Sequence, residues 1–252
     1  MVVNTSDLFN RLLEKMQVDV VFDVGSLDGS DALRFRTARP AAEIYAFECN
    51  PENLRQMRAN PRLRERDIHV VPSAASDRDG VADFFLIAAD FTYTRHNDAR
   101  GMSSLHRRDA ARSATVVRVA TTRLDTFVRE KCSPRARVGV WIDTEGKSFE
   151  VVQGTAGVAD QVRVLHLKVE TTAAIATGQK LYQQVKQQLR QLGFSEVATD
   201  KSTDHPQFNA VFVRDSWNPS LLLWLKTYLF RERLYDSVGS ALRRRQPGAS
   251  RH

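Results

Sequence analysis

Residues 20–35 read VVFDVGSLDGSDALRF. A β-branched apolar run carries Asp23, meets Gly25 and Gly29, and passes from Ser30 into a stretch of helical spacing. So short an apolar run, closed by glycine, has the length of a buried strand rather than a helix. Strand, tight loop and helix open an α/β unit, and the loop with its helix N-terminus is where such a unit holds a ligand.

The loop spacing is G-x-x-x-G and lacks the third glycine that brings backbone against a dinucleotide pyrophosphate. Asp28 inside the loop and Asp31 at the helix start would repel a pyrophosphate. They suit a ligand with a cationic group, such as the ammonium and sulfonium of S-adenosylmethionine. Further along, EIYAFE (43–48) reads as a second strand ending in Glu48, 23 residues beyond Gly25. An acidic residue at that distance accepts hydrogen bonds from ribose hydroxyls; the alternative is a cap on the next helix, NPENLRQMRAN, with Asn50 as its cap and Pro51 in its first turn. A third strand, DIHVVP, leads into PSAASDRDG, whose small residues allow close approach and whose Ser76 or Asp77 can accept from an adenine amino group, or simply form a turn.

Continuing outward, GVADFFLIA and TVVRVAT read as added strands, separated by a polar segment, Asp90 to Ala114, expected to be a functional loop or lid. TTRLDTFVREK is a short helix, VGVWID (138–143) a fourth buried strand, SFEVVQGTAGVA a helix broken by Gly154 and Gly157, and VRVLHLKVE (162–170) a fifth strand. GQKLYQQVKQQLRQLGF sets Leu181, Val185, Leu189 and Leu192 on one helix face and stops at Gly193. SEVAT and FNAVFVR form an antiparallel hairpin. The alternation predicts an α/β, Rossmann-like fold with a doubly wound, mostly parallel sheet.

Before this body, MVVNTSDLFNRLLEKMQ has no basic segment followed by a long apolar core and is expected to be an amphipathic helix capped near Thr5 or Ser6. The organisation expected is an N-terminal helix over 1–18, a domain over 19–215 and a basic amphipathic tail over 216–252. No apolar run nears the ~20 residues of a membrane span. Cys49 and Cys132 are far apart and lack metal-ligand spacing, so neither a disulfide nor a zinc site is expected and a cytoplasmic, reducing setting fits. The net charge is +7, but residues 226–252 hold seven basic residues against two acidic ones. The near-neutral body argues against a nucleic-acid partner.

Taken in order, VVFDVGSLDGS, YAFECNPEN, VVPSAASDRDG, ATTRLDTFV, VWIDTEGKSFEVVQG and VLHLKVE resemble the FkbM family of S-adenosylmethionine-dependent methyltransferases. The resemblance runs from Val20 to Glu170 and more loosely to Arg214. IDTEGKSFEVVQG is similar to the family pattern I-D-x-E-G-x-E-x-x-x-L-x-G, and GMSSL (101–105) to its serine-rich stretch. Three positions depart from the family: Leu27 stands for its loop asparagine, Cys49 for the proline of F-E-P, and Trp141 for a common lysine before I-D. The resemblance implies the seven-stranded class I methyltransferase sheet with a terminal antiparallel hairpin, S-adenosylmethionine as cofactor, and O-methylation of a sugar, glycan or complex natural product. The expected cofactor residues are Asp23, Gly25, Ser26 and Asp28 in the first loop, Glu48 and Cys49, and Ala75, Ser76 and Asp77.

In an open α/β sheet the site lies at the carboxyl ends of the strands. Asp143 and Glu145 follow the fourth strand, with Glu145 the first choice to contact the acceptor or take its proton. A period of two sets His166, Lys168 and Glu170 on one face, with Glu170 reaching the crevice and His166 a structural histidine. The expected catalytic set is therefore Asp143, Glu145 and Glu170, with no metal; a magnesium site on the three carboxylates is the alternative. His96 or His106 is an alternative base, and Lys147 is read as solvated. Two further readings stay open: a cofactor-binding or tail-mediated interaction protein without turnover, and a nicotinamide-dependent enzyme, disfavoured by the missing glycine and Asp28. In the tail, Leu221, Leu225 and Leu229, then Phe230, Leu234, Val238 and Leu242, recur at four-residue steps. A helix over Asn218–Leu242, whole or broken near Gly239, is expected to pack on the domain or on a twin subunit. A peripheral contact with an anionic membrane is the alternative, and RRRQPGASRH is expected to be disordered.

Overall fold

The computed structural model describes residues 3–87, 99–107, 114–202, 205–214 and 218–244, the last twelve as backbone. The elements run α1 (Thr5–Lys15), β1 (Val20–Val24), α2 (Ser30–Ala38), β2 (Glu43–Glu48), α3 (Pro51–Ala59), α4 (Pro61–Glu65), β3 (Ile68–Pro72), β4 (Ala74–Ala75), β5 (Gly80–Ile87), β6 (Ala114–Thr122), α5 (Leu124–Lys131), β7 (Val138–Ile142), α6 (Ser148–Thr155), β8 (Val162–Glu170), α7 (Tyr182–Gln191), β9 (Phe194–Thr199), β10 (Gln207–Arg214) and α8 (Pro219–Arg244). Among the described residues, one seven-stranded sheet has the order β3-β2-β1-β7-β8-β10-β9. β1 pairs in parallel with β2 and β7, β2 with β3 and β7 with β8, while β10 is antiparallel to both β8 and β9. This is the expected mostly parallel sheet with its terminal hairpin.

β1 and β7 are buried along their whole length, as strands covered on both faces must be. One core lies between the sheet and α5, α6 and α7, built on Phe22, Phe47, Val140, Leu165 and Phe212. The other lies under α1 and α2 and takes in Leu8, Phe9, Leu12, Phe35, Trp141 and, from α8, Leu221, Leu225 and Tyr228. Phe9 meets Phe35 and Trp141 edge-on, each at 5.4 Å. Burying such a side chain stabilises the fold by roughly 1.5–3 kcal/mol. His166 is structural: its ring stacks on Trp141 at 3.5 Å, its Nε2 lies 3.2 Å from Thr5 Oγ1, and burial holds its pKa well below the usual value.

Several local expectations need correction. The cap of α1 is Asn4, whose Oδ1 accepts from the Asp7 N–H, rather than Thr5 or Ser6. The two added strands are present as β5 and β6, and they pair with each other, and β6 with β4, in a separate three-stranded sheet. α4 was not anticipated. Gly154 does not break α6: a Cβ there would lie 2.1 Å from the Ser76 carbonyl oxygen, so glycine lets the helix press on that backbone. Leu181 sits at the cap of α7, outside its buried face. α8 continues through Gly239 as one helix, and residues 245–252 lie outside the described residues.

Candidate active site

The strand ends of β1, β2 and β7 open on a cleft. Its apolar wall includes Val24, Leu27, Phe47, Ala75, Phe84 and Leu105. Two polar clusters line it, one around Glu48 and one around Asp143–Glu145.

At the first cluster, the loop after β1 turns through three left-handed residues, Gly25 at φ +82°, Leu27 at +56° and Gly29 at +81°. Gly25 lines the cleft, yet what demands glycine there is packing: a Cβ would lie 2.2 Å from the Asp143 carbonyl oxygen. Leu27 has no such freedom, and a branched side chain in that region is strained. Its N–H donates to Glu48 Oε2 at 2.9 Å. Glu48 also accepts from Cys49 N and Asn50 N, each at 2.7 Å, and from Asn53 Nδ2 at 3.2 Å. Burial raises its pKa while these four donors pull it back. A carboxylate has about four acceptor directions, so Glu48 closes the loop and the start of α3 as well as lining the cleft. Cys49 lines the same wall, and burial pushes its thiol well up.

Not all of the expected cofactor residues line the cleft. Asp23 lies beneath the loop, 1% exposed, with Oδ2 accepting from Ser26 Oγ at 2.6 Å. Burial raises its pKa to about 8, with Asp31 and Asp143 adding to the rise and Ser26 and Arg34 opposing it. Ser26 is thus spent on Asp23. Asp28 points outward and accepts from Ser30 N at 2.9 Å, holding the first turn of α2. After β3 the wall is Ser73, Ala74 and Ala75, one step earlier than Ser76 and Asp77. Ser76 is buried against α6 and donates to Asp77 Oδ1 at 3.1 Å, while the Asp77 carbonyl accepts from Arg123.

In the other cluster, Asp143 and Glu145 follow β7 and line the cleft. Between them stands Lys168 of β8, which ion-pairs with Asp143 Oδ1 and, at 2.7 Å, with Glu145 Oε1. Burial alone would lower the Lys168 pKa, but the two carboxylates hold it above the ordinary value. Glu170 does not join them. It is 3% exposed, its oxygens take Gln207 Nε2 at 3.0 Å and Gln179 Nε2 at 2.8 Å, and burial raises its pKa. β10 pairs Gln207 directly with Glu170, which is why the carboxylate is claimed from the side. The three carboxylates therefore do not converge, and among the described residues no three His, Cys, Asp or Glu are grouped so as to hold a metal ion.

The cleft is roofed by Gly101, Ser103, Ser104 and Leu105. This segment is pinned by a bridge between Ser104 and Phe85 and by Ser104 Oγ, which donates to the Glu145 carbonyl at 2.6 Å. His106 lies against the Gly146 turn, its Cδ2 3.2 Å from where a Cβ of Gly146 would be; His96 lies outside the described residues. Lys147 also lines the cleft and pairs with Glu150 at 2.8 Å. Lys168 was the residue missed. What brings it there is register: β7 and β8 run parallel with Ile142 opposite Leu167, so Lys168 stands beside Asp143, a placement that spacing along the chain does not show.

Several known proteins are similar to this chain. The 2-O-methyltransferase NoeI of Sinorhizobium fredii (strain NBRC 101917 / NGR234) is 29% identical over 160 residues, 62% of this chain and 64% of the relative, so the chain spans under two thirds of that protein's length. Among solved structures, EvdMO1 overlaps 84% of this chain and 41% of its own at 10% identity and a TM-score of 0.46. The methyltransferase FkbM from Methylobacillus flagellatus KT overlaps 78% and 43% at 9% identity and a TM-score of 0.46. The family model of the methyltransferase FkbM domain matches residues 23–196, more than half of the chain, and the chain belongs to that family.

Proposed function

We propose that the protein is an S-adenosylmethionine-dependent O-methyltransferase acting on a hydroxyl of a sugar, a glycan or a complex natural product. The observation that carries this reading is one cleft lined both by Glu48 and by the Lys168-tied pair Asp143 and Glu145. Two carboxylates against one ammonium leave negative charge at the second cluster, which favours a cationic ligand. The cleft's apolar wall suits the cofactor's base, and the acids answer its ribose and its cationic groups. The relative named a 2-O-methyltransferase supports an oxygen acceptor.

When bound, S-adenosylmethionine supplies a sulfonium-activated methyl group open to in-line displacement by an oxygen nucleophile. Glu48 receives the ribose hydroxyls by giving up one of its present donors, and the Leu27 N–H, carried on a strained residue, is the one that moves most readily. Glu145 accepts the proton of the acceptor hydroxyl through its Oε atoms, while Lys168 and the Ser104 contact hold it in place. Asp143 keeps the neighbouring space negative. Leu27, Phe84 and Leu105 exclude water, and such positioning is worth ~7–11 kcal/mol when the reacting atoms are held near attack distance.

The test is transfer of a labelled methyl group from S-adenosylmethionine to a panel of monosaccharide and oligosaccharide acceptors. Glu145→Gln should lower turnover by at least ~10²-fold, with calorimetric affinity for the cofactor retained. Cofactor binding without transfer to any hydroxyl would favour a binding protein without turnover. Nicotinamide dinucleotide binding in place of S-adenosylmethionine would overturn the proposal.

A further inference from the structure

α8 carries two apolar stripes, and the domain uses one of them. Leu221, Leu225 and Tyr228 are buried in the core beneath α1. The Tyr228 hydroxyl donates to Asp7 Oδ2 at 2.9 Å, and the Arg11 guanidinium lies 5.6 Å from the centre of its ring. These contacts set the rotation of the helix about its own axis. Leu223 and Phe230 are consequently turned outward, 69% and 60% exposed. Seven residues apart, they fall on one face of the helix, with the exposed Lys226 and Arg231 on either side of the line between them. The sequence beyond adds Arg233, Arg243, Arg244, Arg245 and Arg251 against Glu232 and Asp236.

We infer that this outward face of α8 docks the protein on an anionic lipid surface. Leu223 and Phe230 enter the boundary of the acyl chains, and the basic residues lie among the headgroups. Charge selects this occupant over a second copy of the chain. Residues 226–252 hold seven basic residues and two acidic ones, so two such tails brought together repel, whereas anionic headgroups complement them. The contact is interfacial: among the described residues no helix is long and apolar enough to cross a membrane.

The test is co-sedimentation of the full chain with vesicles of phosphatidylcholine alone and of phosphatidylcholine mixed with phosphatidylglycerol, at low and high salt. The chain should sediment with the mixed vesicles only, and less so at high salt. Leu223→Glu combined with Phe230→Glu should weaken that partition by roughly tenfold or more, with the melting temperature unchanged because neither side chain is packed. Lys226→Glu combined with Arg231→Glu should weaken binding in the same direction, and decides the matter should the first variant melt early. Equal binding to neutral vesicles, or no binding to anionic ones, would overturn the inference. So would variants that bind as the parent does. A concentration-dependent dimer that Leu223→Glu with Phe230→Glu abolishes, without vesicle binding, would assign the face to a second copy instead.

Discussion

The two acidic clusters that line the cleft are built differently. Around Glu48 the contacts are local: one carboxylate collects the N–H groups of Cys49 and Asn50, the amide of Asn53, and the N–H of Leu27 from the facing loop. All of these lie within two successive strand–loop–helix units. Around Glu145 the contacts join distant parts of the chain. Lys168 reaches back to Asp143 and Glu145, and Ser104 reaches forward to the Glu145 carbonyl. The first cluster is a hydrogen-bond cage around one carboxylate, whereas the second is a charge cluster whose members depend on one another. An uncompensated charge is dearer to bury than an unmade hydrogen bond, so the two clusters should fail unequally when a member is removed.

The sharpest test of that contrast is Lys168→Met. Removing the ammonium leaves two carboxylates facing each other at the cleft, and loss of one partner from such a pair destabilises by ~3–5 kcal/mol where burial is complete, less where one acid is exposed as Asp143 is. Denaturant unfolding would read it; an unchanged midpoint would mean the cluster is a surface pair of no consequence.

Asp23 supplies the next effect, and its sign is distinctive. Its folded pKa of about 8 stands above the ordinary 3.8. Between those values the folded state holds a proton that the unfolded state has released, so stability falls as pH rises from about 4 through about 8. Asp23→Asn should flatten that fall and gain relative stability at alkaline pH. Melting curves across this range that are parallel for parent and variant would show that Asp23 does not carry the slope.

Glu48→Ala comes third. It releases donors that are partly buried and should lower stability by ~1–3 kcal/mol, together with cofactor affinity by ~1.5–3 kcal/mol. Calorimetry and thermal unfolding on one sample separate the two. Weaker binding alone would mean that the cage is incidental and that the acid serves only the ligand. The smallest effect is expected at Leu27. A left-handed conformation disfavours leucine by ~1–2 kcal/mol and is one that asparagine visits readily. Leu27→Asn should therefore raise the melting temperature slightly, and a drop would mean that the apolar contact across the cleft matters more than the backbone.

Much of the fold was legible in the sequence because its signals are short-range. The bounds of β1, α2 and β2, the Asn50 cap with Pro51, and the terminal hairpin all follow from runs of a few residues. The site was legible in part. Gly25, Glu48, Cys49, Ala75, Asp143 and Glu145 do line the cleft. Asp23, Ser26, Asp28, Ser76, Asp77 and Glu170 sit close by in sequence but are claimed by neighbours that spacing does not reveal. Gln179 and Gln207 are the plainest case, two amides from later segments that close on Glu170.

By itself the sequence determined where most strands and helices lie, that the sheet is mostly parallel, and that acids stand at the ends of β2 and β7. Periodicity, glycine and capping residues act over a few positions, so a linear reading suffices. Only the tertiary structure decided that Lys168 ties Asp143 to Glu145, that β5 and β6 leave the main sheet, that Gly25 answers the Asp143 carbonyl, and which stripe of α8 faces out. Each of these depends on strand order, on register or on the rotation of a packed helix, through which a side chain meets partners from distant parts of the chain.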